Sequence, residues 1–136
     1  MVKLSCAVAS RLTAIARPLS TTPGTSHTVH RRVSGSLQYL PVRMDAILSA
    51  LAVKPRRIVM NTTAVHPERT IYTLNSIGVA VCAYRIQHHD ELLADLARSG
   101  YRKRDVWRNE GKPIEVPFVD GGDKPYYAGC CFDLIA

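Results

Sequence analysis

Residues 77–100 read IGVAVCAYRIQHHDELLADLARSG, a run of strand-forming residues followed at once by a helical pattern. The first ten residues are rich in Val, Ile and Tyr and mostly apolar on both faces, which predicts the central strand of a sheet. Asp90 and Glu91 then favour the start of a helix, because acidic side chains stabilise the positive end of its dipole. This junction predicts a fold in which helices pack on strands.

The helix after this junction is the best defined element of the sequence. Leu92, Leu93, Leu96 and Ala97 form one apolar stripe at helical spacing. Gly100 suits the left-handed position that commonly follows a helix, so the helix is predicted to end just before it. Since only one stripe is apolar, we expect that stripe to face the sheet.

A shorter helix is predicted upstream, over residues 44–53. Met44, Ile47, Leu48 and Leu51 recur at the spacing of one helical face, and Pro55 disfavours any continuation. Between the two helices the residue types predict a strand at 56–60, a loop at 61–67, and a hairpin of residues 69–74 and 77–86 that turns at 75–76.

The sequence after Gly100 has the pattern of strands. Residues 101–108 carry charges on both faces, which predicts an edge strand, and strict alternation would place Tyr101 and Trp107 on the same face. Residues 109–112 predict a turn, residues 114–119 a strand weakened by two prolines, and residues 126–135 a last strand in which Gly129 marks a bulge or close approach. Residues 44–136 are therefore expected to form a small single α+β domain, with an antiparallel or mixed sheet of about five to six strands and two helices packed on one face.

Residues 1–43 have a different composition. The first 44 residues hold six of the 18 basic groups and none of the 11 acidic ones. An amphipathic, acid-free start of this kind resembles a mitochondrial presequence with a cleavage region near Ser20, whereas a start codon assigned too early, with Met44 or Met60 as the true start, is the alternative. On both interpretations the segment is predicted to be disordered and to lie outside the domain.

Localisation follows from the same segment and from the cysteines. Loss of Cys6 with the N-terminal segment would leave three cysteines, an odd number that favours a reducing compartment. No apolar run approaches the ~20 residues that a bilayer requires. We expect a soluble intracellular protein, located in the mitochondrial matrix if residues 1–20 are a genuine presequence and in the cytoplasm otherwise.

The strongest functional signal is the basic strand at residues 101–108. The formal net charge is +7, but charge is nearly balanced beyond residue 44, so this basic cluster stands out. Arginine binds phosphate through forked donors, and Trp or Tyr rings stack on bases. The first hypothesis is a small binding or accessory domain that presents this strand to an acidic partner, either RNA or DNA or an acidic protein. The predicted site residues are Tyr101, Arg102, Lys103, Arg104, Trp107 and Arg108.

Two alternatives remain open. A small metal- or thiol-dependent enzyme would be centred on the turn from His88 to Glu91 and on the adjacent cysteines, because His, Cys and carboxylate are the usual zinc ligands. Its weak candidate ligands are His88, His89, Asp90, Cys130 and Cys131. The sequence has no C-x-x-C pair, P-loop or G-x-S-x-G elbow, so no cofactor or metal is predicted. The third hypothesis is a module that assembles through an exposed strand edge.

Overall fold

The computed structural model describes residues 30–117 and 122–135, which contain six strands and two α-helices. In chain order the elements are β1 (His30–Ser34), a 3-10 turn (Leu37–Tyr39), α1 (Met44–Ser49), β2 (Arg57–His66), β3 (Ile71–Ser76), β4 (Val81–His88), α2 (His89–Arg98), β5 (Tyr101–Asn109) and β6 (Tyr126–Leu134). The predicted last strand and long helix are present, and the upstream helix is shorter than expected.

The strands form one mixed sheet in the order β3-β4-β2-β6-β5. β6 is antiparallel to both β2 and β5, whereas β1 runs parallel to the first half of β2. β4 also runs parallel to β2, but it pairs only at its end, through Gln87 and His88. This confirms a small α+β domain with a mixed sheet, and it confirms that β5 lies at an edge.

The central strand is β2 and not the predicted β4. β4 pairs with β2 over two residues only, and its first three residues are exposed or partly exposed. β2 also extends through Asn61–His66, which the sequence predicted as a loop. The polar residues Asn61, Thr62 and Thr63 lie at a register shift in the ladder, and Thr62 has a positive φ of 53°. A bulge at this point explains loop-like residues within a long strand.

The main core joins the sheet to both helices. Ile58 and Met60 of β2 and Phe132 of β6 are almost completely buried, together with Leu48 of α1 and Leu96 of α2. A second, smaller cluster comprises Ala64, Tyr84 and Ile86, with Ile71, Ile114, Val116 and Tyr127 packed against it. Of the apolar stripe predicted for α2, Leu92 and Leu96 are buried in the main core and Leu93 packs against it, whereas Ala97 is exposed.

The predicted domain boundary at residue 43 is too late. β1 pairs with β2 over five residues, and Leu37 in the 3-10 turn is 2% exposed within the main core. Arg43 binds the buried Asp95 of α2 with two hydrogen bonds. The domain therefore includes residues 30–43, and the presequence-like residues 1–29 lie outside the described residues.

Two predicted strand limits are also corrected. The hairpin turn lies at residues 77–80 and not at 75–76, because Ile77 N–H donates to Ala80 and Gly78 adopts a φ of 88°. Residues 112–116 have no regular structure, so the strand predicted at 114–119 is absent there; residues 118–121 lie outside the described ranges. Pro113 removes a donor from this segment, which nevertheless packs Ile114 and Val116 on the second cluster.

Candidate functional site

The predicted basic strand borders a surface that we call the outer face. Ile58, Met60 and Phe132 point into the main core, so the residues between them point to the opposite side of the sheet. Strand pairing fixes the rest of this surface, because residues opposite each other share a face. The outer face comprises His30, Arg32 and Ser34 of β1; Arg57, Val59 and Asn61 of β2; Gly129, Cys131 and Asp133 of β6; and Arg102, Asp105, Trp107 and Asn109 of β5. Arg104, at the register shift of β5, also reaches this face, where it binds Asp133.

Trp107 lies flat on this face, directly above Gly129. A Cβ atom at Gly129 would be 2.1 Å from Cε2 of the indole, so only glycine leaves room for the ring. The indole N–H donates to Oδ1 of Asn61 at 3.3 Å, and that oxygen also accepts from Nδ2 of Asn109 at 3.0 Å. The ring is partly exposed, and these contacts fix its orientation on the sheet.

Two arginines of this surface are held by one carboxylate. Arg57 donates to Asp133 at 2.6 and 3.2 Å, and Arg104 donates to the same carboxylate at 2.9 Å. These hydrogen bonds lower the pKa of Asp133 to about 2, and the bond from Arg57 has the larger effect. The group therefore remains ionised at neutral pH, and two cations share one negative charge.

Two further arginines of the outer face lack such a partner. Arg32 and Arg102 are exposed, and no acidic side chain of residues 30–117 or 122–135 pairs with them. Arg32 lies on β1 and Arg102 on β5, with β2 and β6 between them. Strands are ~4.8 Å apart, so three spacings amount to about 14 Å across the sheet. The two arginines are also offset by two residues along the strands, because the row of Arg32 passes through Cys131 and that of Arg102 through Asp133. The unpaired positive charge lies on the two outermost strands of this surface.

The structure divides the six predicted site residues between the two sides of the sheet. Arg102, Arg104 and Trp107 belong to the outer face, whereas Tyr101 is 1% exposed in the main core and donates its hydroxyl to Pro55 O at 2.8 Å. Tyr101 is therefore not available for stacking, which corrects that part of the prediction.

The other two members of the predicted set point with Tyr101. Lys103 is opposite the core residue Phe132, although it is exposed at the strand surface. Arg108 lies over the ring of Tyr126 at 4.3 Å and pairs with Glu110 at 3.4 Å. A register shift between Lys103 and Asp105 separates the two groups, because it changes the alternation along β5.

Sequence reasoning missed several residues of this surface. Arg32 was excluded with the N-terminal segment, and Asn61 was assigned to a loop. The one available signal was Gly129, whose position in a strand predicted either a bulge or a close approach of another group. The structure shows the close approach, and the group is the Trp107 indole.

The residues of the proposed metal or thiol centre are not assembled into a site. His88 Nε2 is 2.9 Å from Pro67 O, and His89 Nδ1 is 3.2 Å from the exposed carboxylate of Asp90. Cys130 is buried, and this burial raises the pKa of its thiol to about 12, whereas Cys131 points to the outer face. Within the described ranges, no three His, Cys, Asp or Glu side chains come together as a metal site.

His89 and Cys130 do line the same small cavity, of about 10 Å³, between α2 and the sheet. A cavity of this size is at the lower limit for one water molecule. Its other lining residues include Met60, Leu92 and Leu93, so the surroundings are apolar. The space does not accommodate a substrate.

No protein-family model, curated protein or solved structure matches the chain. In the part of the chain that the structure describes, no helix is long and apolar enough to span a membrane.

Proposed function

We propose that this protein binds single-stranded nucleic acid on the outer face. Trp107 stacks on a base, and Arg102 and Arg32, which both lie toward the Tyr101 end of β5 from Trp107, contact phosphates of the adjoining nucleotides. The proposal includes the expectation that both helices pack on the opposite side of the sheet, which leaves the outer face accessible. An indole held flat on a sheet face that also carries two arginines without a carboxylate partner is the single observation that carries the proposal.

The chemistry of the surface favours a single strand over a duplex. A base in a duplex is stacked on both sides, whereas an unpaired base can lie on an exposed aromatic ring. The indole is held by Asn61 and Gly129 before any ligand arrives, so little side-chain entropy is lost on binding. The arginine fork then suits the phosphate oxygens of the adjoining backbone.

The surface charge is also suited to a moderate, salt-dependent affinity. Arg57 and Arg104 share the charge of Asp133, so they contribute less to phosphate binding than Arg32 and Arg102. Each phosphate contact to a single strand contributes about 0.7 to the slope of log K against log salt. Two contacts therefore predict a slope of about −1.4, and each arginine substitution should reduce it by one half.

Trp107 is the only tryptophan of the chain, so its fluorescence tests the proposal directly. A short single-stranded RNA or DNA should quench this emission, because stacking brings the base onto the indole. Arg102→Glu should weaken the quenching, whereas Lys124→Glu makes the same charge change in the exposed loop before β6 and should leave it intact. If no RNA or DNA changes the emission at low salt, the proposal is wrong.

A second function is favoured by the hairpin of β3 and β4. β3 is an edge strand, and the hairpin exposes Tyr72 (76%), Leu74 (70%), Val79 (97%) and Val81 (65%), together with Ile77. Large apolar side chains on an unpaired strand edge favour strand addition by another chain. We infer that the partner is a second copy, because antiparallel pairing of two identical β3 edges buries both patches at once.

The area of the hairpin patch predicts a weak dimer. The five side chains expose roughly 500–600 Å² per copy, below the ~800 Å² per partner of a standard interface. Sedimentation velocity over a wide concentration range should show a reversible monomer to dimer transition. Leu74→Lys should abolish it, whereas Ala97→Lys on the exposed side of α2 should not. A monomer at all concentrations would contradict the assembly function.

A further inference from the structure

A polar cleft of about 340 Å³ lies on the other side of the domain from Trp107. Its walls are the residue before α1 (Arg43), the loop into β3 (Arg69), β3 and β4 (Tyr72, Arg85), and the first turn of α2 (Glu91). A cleft of this volume is in the range of small-molecule sites.

The base of the cleft contains a buried cation without a counter-ion. Arg85 is only 6% exposed, and its Nη2 donates to the carbonyl of Val42 at 2.9 Å. Its Nε–H has no acceptor, and no carboxylate of the described residues forms an ion pair with it. A buried charge without a partner is costly, so this arrangement needs an anion from elsewhere.

The one buried carboxylate of the described residues, Asp95, already has partners. Asp95 is fully buried and binds Arg43 through both oxygens, at 2.9 and 2.6 Å, and Arg98 through Oδ1. The Nε2 of Gln87 donates to the same carboxylate at 3.2 Å, and the amide oxygen of Gln87 accepts no hydrogen bond. The cleft thus has an unsatisfied donor at Arg85 and an unsatisfied acceptor at Gln87, two residues apart on one face of β4.

The mouth of the cleft also carries charged side chains that are available to a ligand. Arg69 is exposed and forms no ion pair with a described residue, so a second guanidinium is available to an incoming anion. Glu91 and Glu68 also line the cleft, and Glu91 is 3.5 Å from Arg43. These acids disfavour a large polyanion such as a nucleic-acid strand, and they provide acceptors for donor groups of a small ligand.

We propose that this cleft binds a small organic anion, a carboxylate or phosphate that also carries a hydroxyl or amino donor. The anionic group binds Arg85 and Arg69, and the donor group binds the amide oxygen of Gln87. Tyr72, opposite Arg85 in the strand pair, provides an apolar wall for the remainder of the ligand. The site uses none of the residues of the outer face, so it does not depend on the nucleic-acid proposal.

Thermal unfolding at constant ionic strength tests this site, with inorganic phosphate and lactate as probes and chloride as the reference anion. A saturating probe should raise the Tm of the full chain relative to chloride, because a ligand that binds only the folded state stabilises it. Lactate carries both proposed groups and inorganic phosphate lacks the carbon skeleton, so their comparison distinguishes a carboxylate site from a phosphate site. No increase with either probe would overturn the proposal.

Two substitutions locate the effect. Arg69→Ala changes an exposed residue and should weaken probe binding, measured by calorimetry, at least tenfold without lowering the Tm in chloride. Arg85→Met removes the buried cation and should abolish the response to the probe, while the Tm in chloride is maintained or rises. Arg32→Ala, on the outer face, is the matched control and should bind the probe normally. Unchanged probe affinity in both Arg69→Ala and Arg85→Met would refute the site.

Discussion

Replacing Gly129 by alanine should displace the Trp107 indole from the sheet. The added methyl group would lie 2.1 Å from Cε2 and 2.3 Å from Nε1, whereas ordinary contacts begin at 3.4 Å. The ring therefore has to rise by at least about 1.3 Å, and the 3.3 Å hydrogen bond to Asn61 then breaks. Overpacking of this kind costs about 1–3 kcal/mol, so we expect the free energy of unfolding to fall by that amount.

The fluorescence of the only tryptophan reports this displacement. Gly129→Ala should shift the emission to longer wavelength and increase quenching by acrylamide, since the indole becomes more exposed to water. Gly111→Ala is the matched control, because nothing lies within 4 Å of a Cβ atom at that turn residue. If Gly129→Ala retains the emission maximum and the denaturant midpoint of the parent protein, the indole does not lie on Gly129 and the stacking surface is wrong.

Three further predictions concern the same sheet. The pKa of Asp133 is lowered to about 2, so its ion pairs stabilise the fold fully above the unfolded pKa of ~3.9, and this stabilisation is lost as pH falls through about 2. The stability of Asp133→Asn, measured by acid titration, should lack this pH-dependent component. At neutral pH the variant should bind the oligonucleotide more tightly, because Arg57 and Arg104 are released. If Asp133→Asn and the parent protein lose stability over the same acid range, the role of these ion pairs is contradicted. At pH 8 a thiol reagent should modify Cys131 faster than Cys130, because burial raises the pKa of Cys130 to about 12. Peptide mass spectrometry can measure the two rates. Equal rates in the folded protein would refute the placement of Cys130 in the core and Cys131 on the outer face. Tyr101→Phe should lower the free energy of unfolding by about 1–2 kcal/mol, since it leaves the buried carbonyl of Pro55 without its donor, and an unchanged denaturant midpoint would count against that bond.

The sequence predicted the helices and the last strand because each has a strong local pattern. The apolar stripe of α2 and the stop at Gly100 require only the residues of that element. β1 has no comparable signal, since it contributes only Val33 to the main core and is held to β2 through its backbone. A polar segment that pairs by backbone hydrogen bonds cannot be distinguished from a loop by composition.

The candidate site shows how a bulge limits prediction from alternation. Strict period-two spacing places Tyr101 and Trp107 on the same face, but the register shift between Lys103 and Asp105 places them on opposite faces. A bulge depends on the partner strand as well as on the strand that contains it. The residue types that suit nucleic acid were therefore identified from the sequence, whereas their division between core and surface required the structure.

The three proposed surfaces lie on different parts of the sheet, and this separation is itself a test. The outer face is centred on β5 and β6, the cleft on β4 and α2, and the dimer edge on β3. The stability effects of substitutions that share no contacts should add within about 0.3–0.5 kcal/mol, so Arg102→Glu combined with Arg85→Met should lose both functions without further loss of stability.

Tyr72 is shared by two of these surfaces, because it lines the cleft and is also exposed at the β3 edge. If both proposals hold, the anion and the second copy compete for Tyr72, and a saturating probe should shift the equilibrium toward the monomer. An unchanged dimer constant would show that at most one of them uses this side chain.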